Sequence, residues 1–420
     1  MAEVEVTALG HRGDGIALLD GGRVFVPGSL PGELVRGTVR AGRMGRPEVL
    51  RPADARVPPR CPHTGACGGC QLQHASDAFV AGWKRELVRA ALVRAGLEAQ
   101  LPDGRNWPMA VSPPRSRRRA VLSLRRGAAG IEAGFLARAG TALAPIERCE
   151  VLHPDILAAL PVLRALGGVG LGPSGAARAH VIRSETGLDV DIRDAPPLGR
   201  RAMAEAGRIA AGAGLARLTW AGEPVIVART PEIWLGRARV VPPPGGFLQA
   251  TAEGEAALTG FVAQHCEGAR RIADLFAGCG TFALSLSHRA TLHAVEQDAA
   301  ALEALEAGWR RTGGLKPLTV EGRNLLARPL GTDELAGFDA VVMDPPRAGA
   351  RAQAGELARS TVPLILSVSC DPASFARDAR ILVDGSYRMG PILIVDQFRW
   401  SARVEIAAVF RRDAGSGAAR

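Results

Sequence analysis

The side chains best suited to covalent chemistry are Cys370 and Glu405, near the end of the chain. Cys370 follows an apolar run that predicts a strand and precedes Asp371-Pro372, so we expect its thiol at the rim of a sheet rather than in a core. A thiolate is a nucleophile, and a carboxylate can remove a proton. Together they suit addition to carbon 6 of a uracil ring, which makes carbon 5 nucleophilic, followed by loss of the carbon 5 proton.

Four other cysteines have a spacing typical of a metal site. Cys61, Cys67 and Cys70 lie close together, and Cys149 follows at a distance. Four thiolates bind either zinc or an iron–sulfur cluster, and both remain open at this point. Three clustered cysteines with one remote favour the cluster, because zinc ribbons more often use two separated Cys-x-x-Cys pairs.

A third group of residues predicts a nucleotide-type site. The run Asp274–Phe282 follows an apolar strand, contains Gly278-Cys279-Gly280 and opens a helix, so its backbone can approach a ligand closely. Glu296 ends the next strand, where its carboxylate can accept hydrogen bonds from ribose hydroxyls. Asn324 and the loop Asp344–Arg347 follow two later strands. Because ligands of open sheets bind at the carboxyl ends of strands, these residues are expected to converge.

The elements that must position these residues form three units. Residues 1–55 predict a small β-barrel like an oligonucleotide-binding fold, residues 56–245 an α+β middle domain, and residues 246–420 a Rossmann-like α/β domain. The break at Pro242–Gly246 marks the second boundary. The predicted strands of the barrel are Glu3–Leu9, Gly15–Leu19, Arg23–Val26 and Glu33–Val39.

From Ile272 onward, strands and helices alternate, which predicts a doubly wound and largely parallel sheet. The predicted strands are Leu292–Glu296, Leu318–Val320, Asp339–Met343 and Leu364–Ser367, with further strands near Ile392 and Val404. In the middle region we predict strands at Ala120–Leu124 and Ile131–Leu136.

Composition indicates a globular protein with a polyanionic partner. The chain has 420 residues, 47% of them hydrophobic, and a formal net charge of +10. Nearly all of the positive charge is arginine, since only Lys84 and Lys316 are lysines. Glu3 and Glu5 stand where a secretory signal would be basic and then apolar, and no long apolar run predicts a membrane span. We therefore expect a cytoplasmic protein that contacts no membrane.

Two basic segments are candidates for contact with nucleic acid. The periodicity of Ala81–Gly96 predicts an amphipathic helix with Lys84, Arg85, Arg89 and Arg94 on the polar face. The dense run Arg115–Arg119 is either a solvated edge or a phosphate-contacting patch, and charge alone leaves both open.

These motifs resemble those of the RNA uracil-5-methyltransferase family, in the branch with an N-terminal TRAM domain and an iron–sulfur cluster. The resemblance covers nearly the whole chain. The motifs that carry it are the TRAM-like barrel, the Cys-x5-Cys-x2-Cys set with its distant fourth cysteine, Phe247-Leu248-Gln249, the Gly-Cys-Gly turn, Asp344-Pro345-Pro346-Arg347, Ser369-Cys370-Asp371-Pro372 and Val404-Glu405. Two positions depart from the family's pattern, Thr281 for the common asparagine and Arg403 for the common histidine.

The resemblance implies a role for each candidate residue. Cys370 would be the nucleophile and Glu405 the base, and S-adenosylmethionine would be the methyl donor. The implied ligands of a [4Fe–4S] cluster are Cys61, Cys67, Cys70 and Cys149. The implied lining of the methyl-donor pocket is Gln249, Phe276, Thr281, Glu296, Asn324 and Asp344, with Gln249 and Asp344 nearest the target base.

Several alternatives remain at this stage. An amino-group methyltransferase can use an Asp-Pro-Pro loop but needs no cysteine, and a cytosine-5-methyltransferase also uses a thiolate. A methyltransferase-like fold that has lost activity would retain only RNA binding. We expect a monomer whose substrate is RNA, with ribosomal RNA of the large subunit favoured over transfer RNA because this branch of the family typically acts there.

Overall fold

The computed structural model describes residues 1–102, 106–138 and 140–412, and the chain begins with a closed five-stranded barrel. The strands are β1 (Ala2–Leu9), β2 (Asp14–Leu19), β3 (Gly22–Pro27), β4 (Leu34–Arg40) and β5 (Arg43–Arg51). They close in the order β1-β2-β3-β5-β4. Val6, Val26 and Met44 fill the interior, because alternate residues of a strand face the same side. The barrel prediction is confirmed, and β5 is the strand that the sequence pattern did not locate.

Helix α1 (Asp77–Arg94) follows the cysteine segment. Ser76 caps its first turn, which is why the helix begins before the predicted start at Ala81. The predicted solvent-facing position of Lys84 is wrong: its side chain is fully buried, and its Nζ lies 2.6 Å from Asp396 Oδ1. The polar face of α1 is buried at this point because the helix packs against the C-terminal part of the chain.

The middle region contains a seven-stranded sheet, one separate hairpin and the short strand β6, which belongs to another sheet. Its strands are β6 (Met109–Val111), β7 (Arg119–Gly127), β8 (Gly130–Leu136), β9 (Leu143–Pro145), β10 (Ala176–Ser184), β11 (Gly187–Arg193), β12 (Arg217–Trp220), β13 (Glu223–Val227), β14 (Ile233–Leu235) and β15 (Ala238–Val240). Its helices are α2 (Pro154–Ala158), α3 (Leu160–Gly170) and α4 (Arg200–Gly212). The sheet order is β13-β12-β11-β10-β7-β8-β9, while β14 and β15 form a hairpin.

The C-terminal region alternates strands and helices, as predicted. Its strands are β16 (Arg271–Leu275), β17 (Thr291–Glu296), β18 (Leu318–Gly322), β19 (Ala340–Met343), β20 (Leu364–Ser369), β21 (Tyr387–Asp396) and β22 (Glu405–Arg412). Its helices are α5 (Ala252–His265), α6 (Thr281–Leu286), α7 (Ala299–Arg310), α8 (Thr332–Leu335), α9 (Arg351–Arg359) and α10 (Pro372–Asp384). Residues 413–420 of the predicted C-terminal unit lie outside the described residues.

These strands form one sheet in the order β18-β17-β16-β19-β20-β22-β21-β6. The pairs from β18 to β20 are parallel, and β22 runs antiparallel to both of its neighbours. Helices α1, α9 and α10 pack on one face, and α5, α6 and α7 pack on the other. This is the predicted doubly wound, Rossmann-like fold. The short strand β6, from before the middle sheet, extends it at one edge, which the sequence pattern did not predict.

This topology brings the carboxyl ends of β16, β17, β19 and β20 to one edge of the sheet, because these strands are parallel. The antiparallel β22 begins at that same edge, so its first residue, Glu405, meets the strand ends. In the described part of the chain, no helix has both the length and the apolar character needed to cross a bilayer.

Candidate active site

A cavity of about 420 Å³ opens at the carboxyl edge of the C-terminal sheet. It is lined by all eight residues that the sequence proposed for catalysis and methyl-donor binding: Gln249, Phe276, Thr281, Glu296, Asn324, Asp344, Cys370 and Glu405. Residues from Gln249 to Glu405, far apart in the chain, thus meet in one place. Their individual contacts with a methyl donor or an RNA base stay predictions.

The glycine-rich turn between β16 and α6 forms one wall of the cavity. Gly278 and Gly280 have φ values of 53° and 95°, which L side chains rarely adopt. A Cβ on Gly280 would also lie 2.8 Å from Leu305, so this position requires glycine for two reasons. Below the turn, Asp274 is completely buried, and its Oδ2 accepts a hydrogen bond of 2.7 Å from the Ala283 N–H. Burial raises the pKa of Asp274 to about 8.

Glu296 is fixed by backbone donors at the end of β17. Its Oε2 accepts a hydrogen bond of 3.1 Å from the Gly278 N–H, and its Oε1 accepts from Gln297 and Asp298. Asn324 is held in a similar way, because its Oδ1 accepts from two backbone N–H groups of the following turn. The carboxylate of Glu296 keeps further acceptor capacity toward the cavity, as contact with ribose hydroxyls requires.

A chain of hydrogen bonds crosses the cavity floor from Asp344 to Glu405. Gln249 Nε2 donates to Asp344 Oδ2 at 3.0 Å, Gln397 Nε2 donates to Gln249 Oε1 at 2.7 Å, and Gln397 Nε2 also donates to Glu405 Oε2 at 2.9 Å. Gln397 was missed by the sequence analysis. It directly follows β21, whose Val395 pairs with Glu405, so the antiparallel pairing of β21 with β22 is the signal that would have located it.

Cys370 lies beyond β20, next to the first turn of α10. Asp371 caps that helix by accepting from the backbone N–H groups of Ala373 and Ser374. Burial raises the pKa of the Cys370 thiol to about 11, and the negative charges of Glu405 and Asp344 act in the same direction. The thiol is therefore protonated at neutral pH in the free protein.

The two acids of the cavity also have raised pKa values. Burial raises the pKa of Glu405, and repulsion from the Asp344 charge raises it further, while the hydrogen bond from Gln397 lowers it. Burial likewise raises the pKa of Asp344. Three groups that become negative on ionisation thus share one poorly solvated space, and such clusters of perturbed acids are typical of catalytic sites.

Arginines face these acids from the predicted basic patch and the loop before β22. Arg115 and Arg118 form ion pairs with Glu150 and Glu255, so half of the patch is structural. Arg117 and Arg119 line the cavity instead, together with Arg403. Burial and mutual repulsion lower the pKa of Arg117, as expected of a cation held without a carboxylate partner among the described residues.

A cleft of about 630 Å³ leads from Cys370 toward the barrel. Its walls come from the barrel, from α1 and from the loops around Cys370, and its charged lining includes Arg23, Arg94, Arg347 and Arg403. The nucleophile is therefore reached from a basic groove, which suits a polyanion.

The four predicted metal ligands, Cys61, Cys67, Cys70 and Cys149, line a second cavity of about 500 Å³. The Cys149 sulfur accepts from the N–H groups of Val151 and Leu152, each at 3.4 Å. Burial raises the pKa of the Cys67, Cys70 and Cys149 thiols, with Cys70 reaching about 12, and repulsion among the cysteines adds to this. Within the described ranges, no three cysteine, histidine or carboxylate side chains are grouped as ligands of a single ion.

The C-terminal sheet has a glycine-rich turn after β16, an acid at the end of β17 and an antiparallel last strand, β22. Together these features define a methyltransferase of the Rossmann-like class that uses S-adenosylmethionine. Comparisons with known proteins agree. Residues 2–39 match the TRAM domain. A solved structure of the Pyrococcus abyssi tRNA (uracil-54, C5)-methyltransferase with S-adenosyl-L-homocysteine has the same fold, with a TM-score of 0.75 at 20% identity over 97% of this chain and 99% of that one.

Relatives with curated names extend the likeness along the whole chain. An RNA methyltransferase from Caulobacter vibrioides is 43% identical over 98% of this chain and 100% of its own length. The 23S rRNA (uracil(1939)-C(5))-methyltransferase RlmD of Alkalilimnicola ehrlichii is 33% identical over 98% of this chain and 97% of its own. The chain therefore belongs to the RNA uracil-5-methyltransferase family, as its motifs indicated.

Proposed function

We propose that the protein transfers a methyl group from S-adenosylmethionine to carbon 5 of a uridine in RNA, with Cys370 as nucleophile and Glu405 as base. The observation that carries this proposal is the single cavity in which a thiol, a pair of buried acids and a nucleotide-type glycine turn meet. An amino-group methyltransferase would have no use for a thiol in the same cavity as Asp344 and Glu405.

The first step is addition. The Cys370 thiol gives its proton to solvent water, and the thiolate sulfur forms a bond with carbon 6 of the ring while the carbon 5–carbon 6 double bond shifts its electrons toward carbon 4 and its oxygen. The charges near Cys370 matter here, because Glu405 and Asp344 disfavour the thiolate while the first turn of α10 favours it. The product is an enolate whose carbon 5 is nucleophilic.

The second and third steps consume that enolate. Carbon 5 then bonds to the methyl group that S-adenosylmethionine would supply, the bond between that methyl group and the sulfonium sulfur breaks, and S-adenosyl-L-homocysteine leaves. The Glu405 carboxylate then removes the carbon 5 proton. The electrons of that C–H bond restore the carbon 5–carbon 6 double bond as the carbon–sulfur bond breaks, which returns Cys370 as a thiolate.

The same cavity supports the assignment of the donor-binding residues. Glu296 stands where it can accept from ribose hydroxyls, Thr281 opens α6 beside the glycine turn, and Asn324 and Phe276 lie on the remaining wall, where an adenine ring would be placed. Gln249 and Asp344 lie between this wall and Glu405, so we assign them to the edge of the target base.

We further propose that Cys61, Cys67, Cys70 and Cys149 hold a [4Fe–4S] cluster. The pKa values of the Cys67, Cys70 and Cys149 thiols are raised, so a cation would favour their thiolate forms, and backbone N–H groups directed at sulfur are typical of such sites. The cluster would be held by all four side chains, which come from two separate loops. Its contribution would be to neutralise the thiolates and join the segment 61–73 to the loop that carries Cys149.

The proposed substrate is ribosomal RNA of the large subunit, and transfer RNA is the alternative. The name of the Alkalilimnicola ehrlichii relative supports the first choice. In this proposal residues 1–55 form the RNA-binding barrel, residues 56–245 the cluster-bearing middle domain and residues 246–420 the catalytic domain of a monomer. The basic cleft between the barrel and Cys370 would hold the nucleotides beside an extruded uridine. An RNA substrate of this kind places the reaction in the cytoplasm.

A comparison of 5-methyluridine maps from a deletion strain and its parent tests the proposal. We expect one position in the large-subunit RNA to lose its methyl group, and the purified protein to restore it in vitro. Loss of a methyl group from a position in transfer RNA would instead mean that transfer RNA is the substrate. Unchanged maps, with RNA binding intact, would favour a protein that binds RNA without modifying it.

A further inference from the structure

The side-chain amide of Gln397 forms hydrogen bonds with two residues of the proposed active site and with one backbone N–H group. It is 2% exposed, and its Nε2 donates to Gln249 Oε1 at 2.7 Å and to Glu405 Oε2 at 2.9 Å. Its Oε1 accepts from the Ala250 N–H at 2.8 Å. The amide has only one workable orientation, because a flipped oxygen would face the Glu405 carboxylate and leave the Ala250 N–H without its acceptor.

The backbone around Gln397 is held as firmly as its side chain. Asp396 accepts from the buried Lys84 Nζ at 2.6 Å and from the Phe398 N–H at 3.1 Å. The Asp396 carbonyl accepts from the Ser112 N–H at 3.0 Å. Helix α1 and the segment before β7 therefore anchor the end of β21 at the position that presents Gln397.

We infer that Gln397 is a positioning residue that fixes Glu405 and Gln249 as one unit. This inference rests on the proposed function. Because Gln397 occupies Oε2 of Glu405, the other oxygen, Oε1, is the one directed to take the carbon 5 proton. Without the amide, the carboxylate could rotate, and its distance from carbon 5 would no longer be set.

The same contact determines how Gln249 meets the base. Its Oε1 is bonded to Gln397 and one Nε2–H is bonded to Asp344, so its amide cannot flip. One Nε2–H remains to donate, which matches the carbon 4 oxygen of uracil and mismatches the amino group that cytosine carries there. Gln397 thus links the preference for uracil to the geometry of proton removal.

A matched pair of variants separates this role from ordinary packing. Gln397→Met keeps the length of the side chain and removes its hydrogen bonds. Gln353→Met makes the same exchange at another fully buried glutamine, whose amide bonds only the backbone of Leu330, away from the cavity. Both variants should lose stability, so a change seen only in Gln397→Met reports on catalysis.

Three readouts follow from the contacts. In Gln397→Met we expect elimination to slow about 10- to 100-fold, part of the full effect of a general base, so that a denaturant-stable protein–RNA adduct accumulates with wild-type RNA. The pH at which elimination is half-maximal should rise, because the lost hydrogen bond lowered the pKa of Glu405 while burial and the Asp344 charge still raise it. The affinity for S-adenosylmethionine should stay within about twofold.

The inference is overturned if Gln397→Met and Gln353→Met show the same elimination rate and the same pH profile. A wild-type protein that forms no adduct with RNA containing 5-fluorouridine, whose carbon 5 fluorine cannot leave as a proton, would instead contradict the covalent mechanism itself. The two failures are distinguishable, because the experiment with 5-fluorouridine uses the wild-type protein and does not depend on a variant of Gln397.

Discussion

The cavity that holds the predicted catalytic residues and the cavity that holds the four predicted metal ligands are built in different ways. The methyl-transfer cavity draws its polar groups from the ends of β16, β17, β19, β20 and β22, where the sheet fixes each backbone position. The cysteine cavity draws its thiols from loops: three follow the barrel, and Cys149 follows β9. The first cavity is connected by hydrogen bonds between its own side chains, whereas the second contains thiols that repel one another when ionised.

The difference teaches that the fold alone organises the first cavity, whereas in our proposal the second would depend on the cluster to balance the charge of its thiolates. The two are nevertheless adjacent, because Arg117, Phe398 and Arg403 line both. The cysteine segment also contacts the loop before Glu405: the N–H groups of Gln71 and Leu72 both donate to the Trp400 carbonyl. Substitutions in the cysteine cavity should therefore lower the stability of the protein more than its rate of methyl transfer.

The largest expected effect comes from removing the nucleophile. Cys370→Ala should lower methyl transfer by about 10⁴-fold or more, since the other thiol that lines the cavity, Cys279 of the glycine-rich turn, is buried and has its pKa raised to about 12. The affinities for RNA and S-adenosylmethionine, measured by equilibrium binding, should change little. Cys266→Ala, a buried cysteine that lines neither cavity, is the control and should retain activity. Residual turnover in Cys370→Ala would require a different nucleophile.

Cys149→Ser should act on the other cavity. We expect anaerobically purified wild-type protein to contain iron and sulfide, and the variant to lose both and to unfold about 10 °C lower, because metal binding is coupled to folding. Cys266→Ser is again the matched control. Stoichiometric zinc without iron would contradict the cluster, and a Cys149→Ser protein as stable as the wild type would contradict the contrast between the cavities.

The pH dependence of adduct formation should be about tenfold per unit in the neutral range. The pKa of Cys370 is raised to about 11, so the reactive thiolate is the minor form and its fraction increases as pH rises. Rapid-quench measurement of the adduct between about pH 6.5 and 8.5 tests this slope. A rate that does not change with pH would mean that the thiol proton is lost before the step observed.

A smaller effect is expected at the entrance to the basic cleft. Arg23→Gln, on the barrel side, should weaken RNA binding by about three- to tenfold at low salt and reduce the slope of log affinity against log salt by about one. Arg208→Gln, an exposed arginine of α4 that does not line the cleft, is the control. Equal effects of the two variants on RNA affinity would contradict the binding of RNA in the cleft.

The sequence predicted the first cavity better than its surroundings. Cys370, Glu296 and Asp344 could be placed because each ends a strand, and parallel strands bring their ends together. Lys84 could not, because its burial depends on Asp396, which lies 312 positions away. Gln397 escaped notice for a related reason, since its role exists only after β21 pairs with β22. The ion pair of Arg115 with Glu150 could not be predicted from the sequence either, because tertiary contacts determine which charged side chains meet.

The measurement that tests the central claim most directly is the fate of the adduct in Glu405→Gln. An amide cannot accept the carbon 5 proton at neutral pH, so addition and methylation should proceed and elimination should stop. We predict a protein–RNA band that survives denaturant and carries label from the methyl group of S-adenosylmethionine, with no such band when Cys370→Ala is added to the same protein. Normal turnover by Glu405→Gln, with no band, would contradict the account, because the base would then be another group.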